Sequence, residues 1–83
     1  MLIHVTQEDI DSGIPSRVAC CPVALALNRA LEKSFIVGGG YCYARVDKAP
    51  FYNLTKVVRQ KIADFDHGKA ISPFSFELDI TEY

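Results

Sequence analysis

The sequence predicts a small α+β domain, with two main helices packed on one face of a three- to four-stranded mixed or antiparallel sheet. Three observations predict it. The longest apolar run, Cys21 to Leu31, is rich in Ala and Leu and lacks Gly, which is helical composition. A second helical stripe, Leu54, Val57, Val58, Ile62 and Phe65, opposes a wet side of Lys56, Arg59, Gln60 and Lys61. The stretch from Phe74 to Ile80 alternates strictly, with Phe74, Phe76, Leu78 and Ile80 on one side and Ser75, Glu77 and Asp79 on the other. Such alternation marks a strand with one buried and one wet face. Helical stripes and one-sided strands bury each other as stacked layers.

In chain order, Leu2 to Val5 reads as a first short strand. Thr6 is placed to cap a short helix from Gln7 to Ser12, with Asp9 closing a capping box and Gly13 as its stop. The segment from Ile14 to Ala19 is a loop, and Pro15 biases Ile14 toward extended backbone. Pro22 suits the first turn of the central helix, which is expected to run to about Lys33. Val23, Leu27, Ala30 and Leu31 form its stripe, widened by Ala24 and Leu25. Ser34 to Val37 and Tyr41 to Val46 are then strands of a hairpin around Gly38, Gly39 and Gly40. In the second strand Tyr41, Tyr43 and Arg45 share one face, and Cys42, Ala44 and Val46 share the core face. Asp47 to Pro50 is a turn and Phe51-Tyr52 a short extended piece. Asn53 is expected to cap a helix from about Leu54 to Asp66, ended by Gly68.

Composition sets the outer limits. A chain of 83 residues makes one domain, spanning residues 1–83, and buries roughly 60% of its unfolded surface. With 49% hydrophobic residues it belongs among folded globular chains. Nine basic and ten acidic residues, net −1, exclude a broad nucleic-acid surface and a strongly acidic DNA mimic. No apolar run is long enough to span a bilayer, and the N-terminus lacks a basic region followed by an apolar core. Three cysteines cannot all pair within one chain, and Cys20 and Cys21 are adjacent, so they read as thiols in a reducing compartment. Together these imply a soluble cytoplasmic protein.

Each candidate for chemistry has a plain structural alternative. Cys20 and Cys21 stand where a helix dipole would lower a thiol pKa, yet Cys21 also suits a buried packing position. Cys20, Cys21 and Cys42 with His4 or His67 are ligand types for zinc, but they lack paired C-x-x-C spacing. Gly38, Gly39 and Gly40 could approach a phosphate, but they lack the Lys-Ser/Thr of a P-loop; as a hairpin turn they would supply positive φ. Tyr41, Tyr43 and Arg45 could stack a base and pair an anion or centre a protein interface. Their alternative is an ordinary wet face, or packing against Phe51 and Tyr52. His67, beside Asp66, suits a solvated helix end, and Glu8, Asp9 and Asp11 suit capping and solubility.

Several segments carry a resemblance. Val5-Thr6-Gln7-Glu8-Asp9-Ile10-Asp11-Ser12-Gly13, Cys21-Pro22-Val23-Ala24-Leu25-Ala26, Asp64-Phe65-Asp66-His67-Gly68 and Pro73-Phe74-Ser75-Phe76-Glu77-Leu78 occur in that order. They resemble a family of small uncharacterised proteins of phages, prophages and bacterial genomes, with V-T-x-x-x-I-x-x-G, C-P-[IV]-A-x-A and D-F-D-x-G…P-F-x-F-x-L motifs. The resemblance brings no catalytic residues and no cofactor. By analogy it implies an accessory protein that binds a host factor or a host signalling molecule.

No set of residues supplies nucleophile, base and oxyanion donors together, so the sequence reads against an enzyme, with no metal and no cofactor expected. The leading expectation is a non-catalytic protein–protein inhibitor or adaptor acting on a host defence factor. The alternative is a sponge for a nucleotide signal; a weaker one is a Cys21-dependent enzyme. The candidate binding residues are Tyr41, Tyr43, Arg45, Gly38, Gly39 and Gly40, and a homo-oligomer, as a C2 dimer, is expected.

Overall fold

The computed structural model describes residues 2–17, 19–38, 40–46 and 51–78. Along the chain these form β1 (Leu2–Val5), α1 (Gln7–Ser12), α2 (Pro22–Leu31), β2 (Phe35–Val37), β3 (Tyr41–Ala44), β4 (Tyr52–Asn53), α3 (Lys56–Asp66) and β5 (Phe74–Glu77). The α+β class read from the sequence is the observed one. The strands divide into a three-stranded sheet of order β2-β3-β4 and a separate two-stranded ribbon, β1-β5, and every pair is antiparallel.

The central helix earns its place through its first two turns. Val23, Ala24, Ala26 and Leu27 are buried, and with Ile3 and Val5 of β1, Phe35 and Val37 of β2, Cys42 of β3 and Phe76 of β5 they make one core. α2 stops at Leu31 rather than Lys33, because Glu32 turns into the left-handed region at φ 53°. Its last turn leaves the core: Ala30 is exposed and Leu31 half-buried, so the expected stripe narrows toward the C-terminus. Asn28 then reaches forward, its Oδ1 accepting the Phe35 N–H at 2.7 Å and fixing where β2 begins.

The first helix is capped as expected. Thr6 Oγ1 accepts the Asp9 N–H and Asp9 Oδ2 accepts the Thr6 N–H, a reciprocal box. Gly13 ends α1 with extended backbone, φ −68°. Glycine is needed there for room, since a Cβ would lie 2.8 Å from Pro22 Cδ.

Two more boundaries differ from the sequence reading. β3 ends at Ala44, where the Arg45 N–H closes the hairpin on Ser34 O at 2.8 Å. Val46, assigned to the core face, lies past the ladder and is 88% exposed. Thr55, not Asn53, caps α3: Asn53 still pairs with Tyr41 in β4, and the Leu54 N–H goes to Gly40 O. The α3 stripe is narrower than drawn, because Val57 is 65% exposed while Leu54 and Val58 carry the burial. At the other end of α3, Gly68 does take positive φ, 80°. Its N–H bonds Phe65 O and that of Lys69 bonds Asp64 O, the paired bonds of a Schellman stop. The expected Asp47–Pro50 turn, the Gly39 tip and the Asp79 and Ile80 positions fall outside the described residues. No helix among the described residues is long and apolar enough to cross a membrane.

Candidate functional site

Strand alternation in β3 sends Cys42 and Ala44 into the core and Tyr41 and Tyr43 to the opposite face. Tyr41 and Tyr43 are stacked, 6.1 Å between centroids and 19° between planes. Phe51, just before β4, stands edge-on to both, at 5.3 Å and 72° to Tyr41 and 5.1 Å and 86° to Tyr43. These are the preferred geometries of aromatic pairs. The cluster is nonetheless wet on one side, with Tyr41 44% and Phe51 61% exposed. The sequence grouped Tyr41, Tyr43 and Arg45, and weighed Phe51 only as packing. The structure brings Phe51 into the ring cluster and leaves Arg45 beyond the strand's end, exposed in the turn. Tyr52 lies opposite Cys42 and packs against the core.

The glycine turn does not supply positive φ at Gly38 or Gly40. It supplies space. A Cβ on Gly38 would lie 3.2 Å from Tyr41 Cζ, and one on Gly40 would lie 3.2 Å from Arg59 Cδ. The turn is therefore flanked by the Tyr41 ring on one side and the Arg59 side chain on the other.

Beside it opens a cleft of about 300 Å³, lined by Ser16, Arg17, Cys21, Val37, Gly38, Ile62 and Asp66. Three separated segments meet there: the loop that leads into α2, the β2–β3 hairpin and the end of α3. The loop is held by its own bonds, Ile14 N–H to Cys20 O and Cys20 N–H to Arg17 O. Ser16 sits in the left-handed region at φ 61° and donates its N–H to Asp66 Oδ1 at 2.9 Å. No local pattern around Ser16, Arg17, Ile62 or Asp66 shows that they will meet; only long-range packing gathers them.

The cysteines behave as packing groups. Cys21 is 3% exposed and caps α2, its Sγ accepting the Ala24 N–H at 3.4 Å. Burial pushes its pKa up against the opposing N–H groups of Ala24 and Val23, and the Asp66 carboxylate adds to the rise. The lowered pKa considered for a thiol at this helix start is therefore corrected to a raised one. Burial also lifts Cys42 to about 11, with Cys21 contributing. Among the described residues no group of three or more His, Cys, Asp or Glu side chains could hold a metal ion, so Cys20, Cys21, Cys42, His4 and His67 are not drawn into one. His67 is the exposed C-cap of α3.

The acidic trio of α1 splits. Glu8 and Asp11 are exposed, and Asp11 accepts from Gln7 Nε2 at 2.9 Å. Asp9 is 4% exposed and faces Arg29 of α2. That pairing, across twenty residues, was not read from the sequence.

No family model matches the chain, and no curated protein and no solved structure matches it.

Proposed function

We propose that this protein is a non-catalytic binding protein that acts as an inhibitor or adaptor by covering a partner protein with the face built by Tyr41, Tyr43 and Phe51. The observation that carries the reading is the self-packed state of the three rings. Phe51 stands perpendicular to both tyrosines at just over 5 Å, so the cluster is ordered before any partner arrives. Pre-ordered tyrosine and phenylalanine rings lose little entropy on binding. The same arrangement spends ring faces on one another, which favours a protein contact over a base stacked on each ring in turn. Two further features support a role by occupancy: the Cys21 thiol is buried and engaged as a helix cap, and the exposed aromatics call for cover. The phage-family resemblance gives the partner its class, a host factor.

A photo-reactive phenylalanine analogue at position 51, with the same analogue at exposed Leu2 as control, tests this in the bacterial host. A protein cross-linked from position 51 and not from position 2 is the expected result. The purified partner should then bind Tyr43→Ala roughly 30-fold more weakly than wild type, the scale of an interface hot spot. Equal cross-linking at both positions, or full affinity of a folded Tyr43→Ala, overturns the proposal.

A further inference from the structure

The cleft beside the aromatic face has a chemistry of its own, and we infer that it is a site for the base of a guanine nucleotide. Its size is the first argument. About 300 Å³ lies at the small end of ligand pockets, suited to one ring system. Its walls are the second. Cys21, Val37 and Ile62 are apolar, and Gly38 presents bare backbone with the Tyr41 ring lying against it. A flat heterocycle can slide against such a wall.

The polar groups narrow the class. Asp66 is the cleft's carboxylate, and the Ser16 N–H uses one of its acceptor sites, leaving others. A carboxylate rewards a ligand with adjacent N–H donors. Guanine presents two on one edge, its ring N–H and its amino group, whereas adenine presents an amino group beside an acceptor. Two cations lie near the cleft. Arg17 lines the cleft, and the Nη1 of Arg59 lies 3.4 Å from the Cβ position of Gly40. Gly38 and Gly40 are at most about 7.6 Å apart along two virtual bonds, so the Arg59 Nη1 lies no more than about 13 Å from Gly38, within the span of a whole nucleotide laid out from the cleft. Among the described residues neither arginine is paired with a carboxylate. Base to Asp66 and phosphate to the two guanidiniums is the arrangement these groups favour.

This inference is independent of the protein-binding proposal, because none of Tyr41, Tyr43 and Phe51 lines the cleft. Calorimetric titration with GMP, AMP and guanosine tests it, using wild type, Asp66→Asn and the Arg17→Ala/Arg59→Ala double variant. Asn at position 66 keeps an oxygen for the Ser16 N–H, so the loop anchor survives, and melting temperatures confirm folding. GMP should bind at least roughly tenfold more tightly than AMP and than guanosine. Asp66→Asn should remove the preference for GMP over AMP. The arginine variant should weaken GMP and AMP alike and leave guanosine unchanged. Failure of GMP to bind at millimolar concentration, or an undiminished preference for GMP in folded Asp66→Asn, overturns the inference.

Discussion

Arg29 holds Asp9 with both prongs of its guanidinium, Nη1 to Oδ1 at 2.6 Å and Nη2 to Oδ2 at 2.9 Å. The same Nη2 also donates to His4 O at 2.9 Å. One side chain of α2 thereby ties down α1 and the end of β1. The Asp9 carboxylate has the Thr6 N–H as a further donor, so its burial is fully matched by hydrogen bonds. Arg29 itself is half exposed, which makes the carboxylate the member that depends on the pair.

Removing the arginine should therefore cost more than a surface substitution. Arg29→Ala strands a buried carboxylate on Thr6 alone and is expected to cost about 1–3 kcal/mol in urea denaturation. A change below about 0.5 kcal/mol, the range of ordinary surface positions, would sink this reading.

The pH dependence follows from the same pair. Burial alone would raise the Asp9 pKa, but the Arg29 hydrogen bonds and charge, with the Thr6 donors, hold it below the ordinary 3.8. A depressed folded pKa adds stability that is present above the unfolded value and lost as pH falls through the folded one. Wild type and Asp9→Asn should differ in urea midpoint near neutral pH and converge as the pH drops below about 3.9. A gap that stays constant well below that value would refute the assignment.

These two cases show what was legible in the sequence and what was not. The capping box at Thr6 and Asp9, the alternation of Phe74, Ser75 and Phe76, and the apolar start of α2 are local patterns, and the structure has them where the patterns lie. Val46 and Asn53 were misplaced because a strand's end is decided by its partner: β2 runs out of residues opposite Ala44, and β4 holds Asn53 against Tyr41. Tyr41 and Tyr43 were legible as an outward pair, since a period of two fixes their side. Phe51 was legible as their packing partner, and the ring contacts bear that alternative out; Arg59 and Asp66 were not, because nothing within a few residues of them records which segment they will meet.

Glycines 13 and 68 should fail for different reasons when replaced by alanine. At Gly68 a Cβ meets nothing within 4 Å, and the penalty is the left-handed backbone, about 1–2 kcal/mol. At Gly13 the backbone suits alanine, but the Cβ would press on the rigid Pro22 ring at 2.8 Å, and overpacking of about 1–3 kcal/mol is expected. Gly68→Asn should recover part of the loss at 68, because Asn tolerates that region; Gly13→Asn should recover none. Denaturation midpoints of the four variants check the pattern, and equal rescue at both positions would contradict it.

The thiols give a prediction at high pH. Cys42 is lifted to about 11 from an ordinary 9.0. A raised folded pKa means stability that is whole below the unfolded value and lost as pH rises toward the folded one. Stability should fall between about pH 9 and 11, and Cys42→Ala should flatten that fall. Iodoacetamide at neutral pH should label half-buried Cys20 well before Cys21 and Cys42. Rapid labelling of Cys21 in the folded protein would overturn its role as a buried cap.

Within the aromatic face, Tyr43 should matter more to a protein partner than Arg45. Tyr43 meets both other rings and is half-buried among them, whereas Arg45 lies past the end of β3. Binding energy concentrates in packed, central aromatics, and rim charges contribute little. Tyr43→Ala removes two ring pairs worth about 0.5–1.5 kcal/mol each, so its melting temperature should drop modestly while the protein stays folded. Against the partner recovered from position 51, its Kd should rise roughly 30-fold, and that of Arg45→Ala by no more than about threefold. The Arg45 effect should also shrink as salt is raised, because an exposed charge is screened, while the Tyr43 effect should persist. An Arg45→Ala loss equal to that of Tyr43→Ala at high salt would move the centre of the contact off the rings and onto the turn.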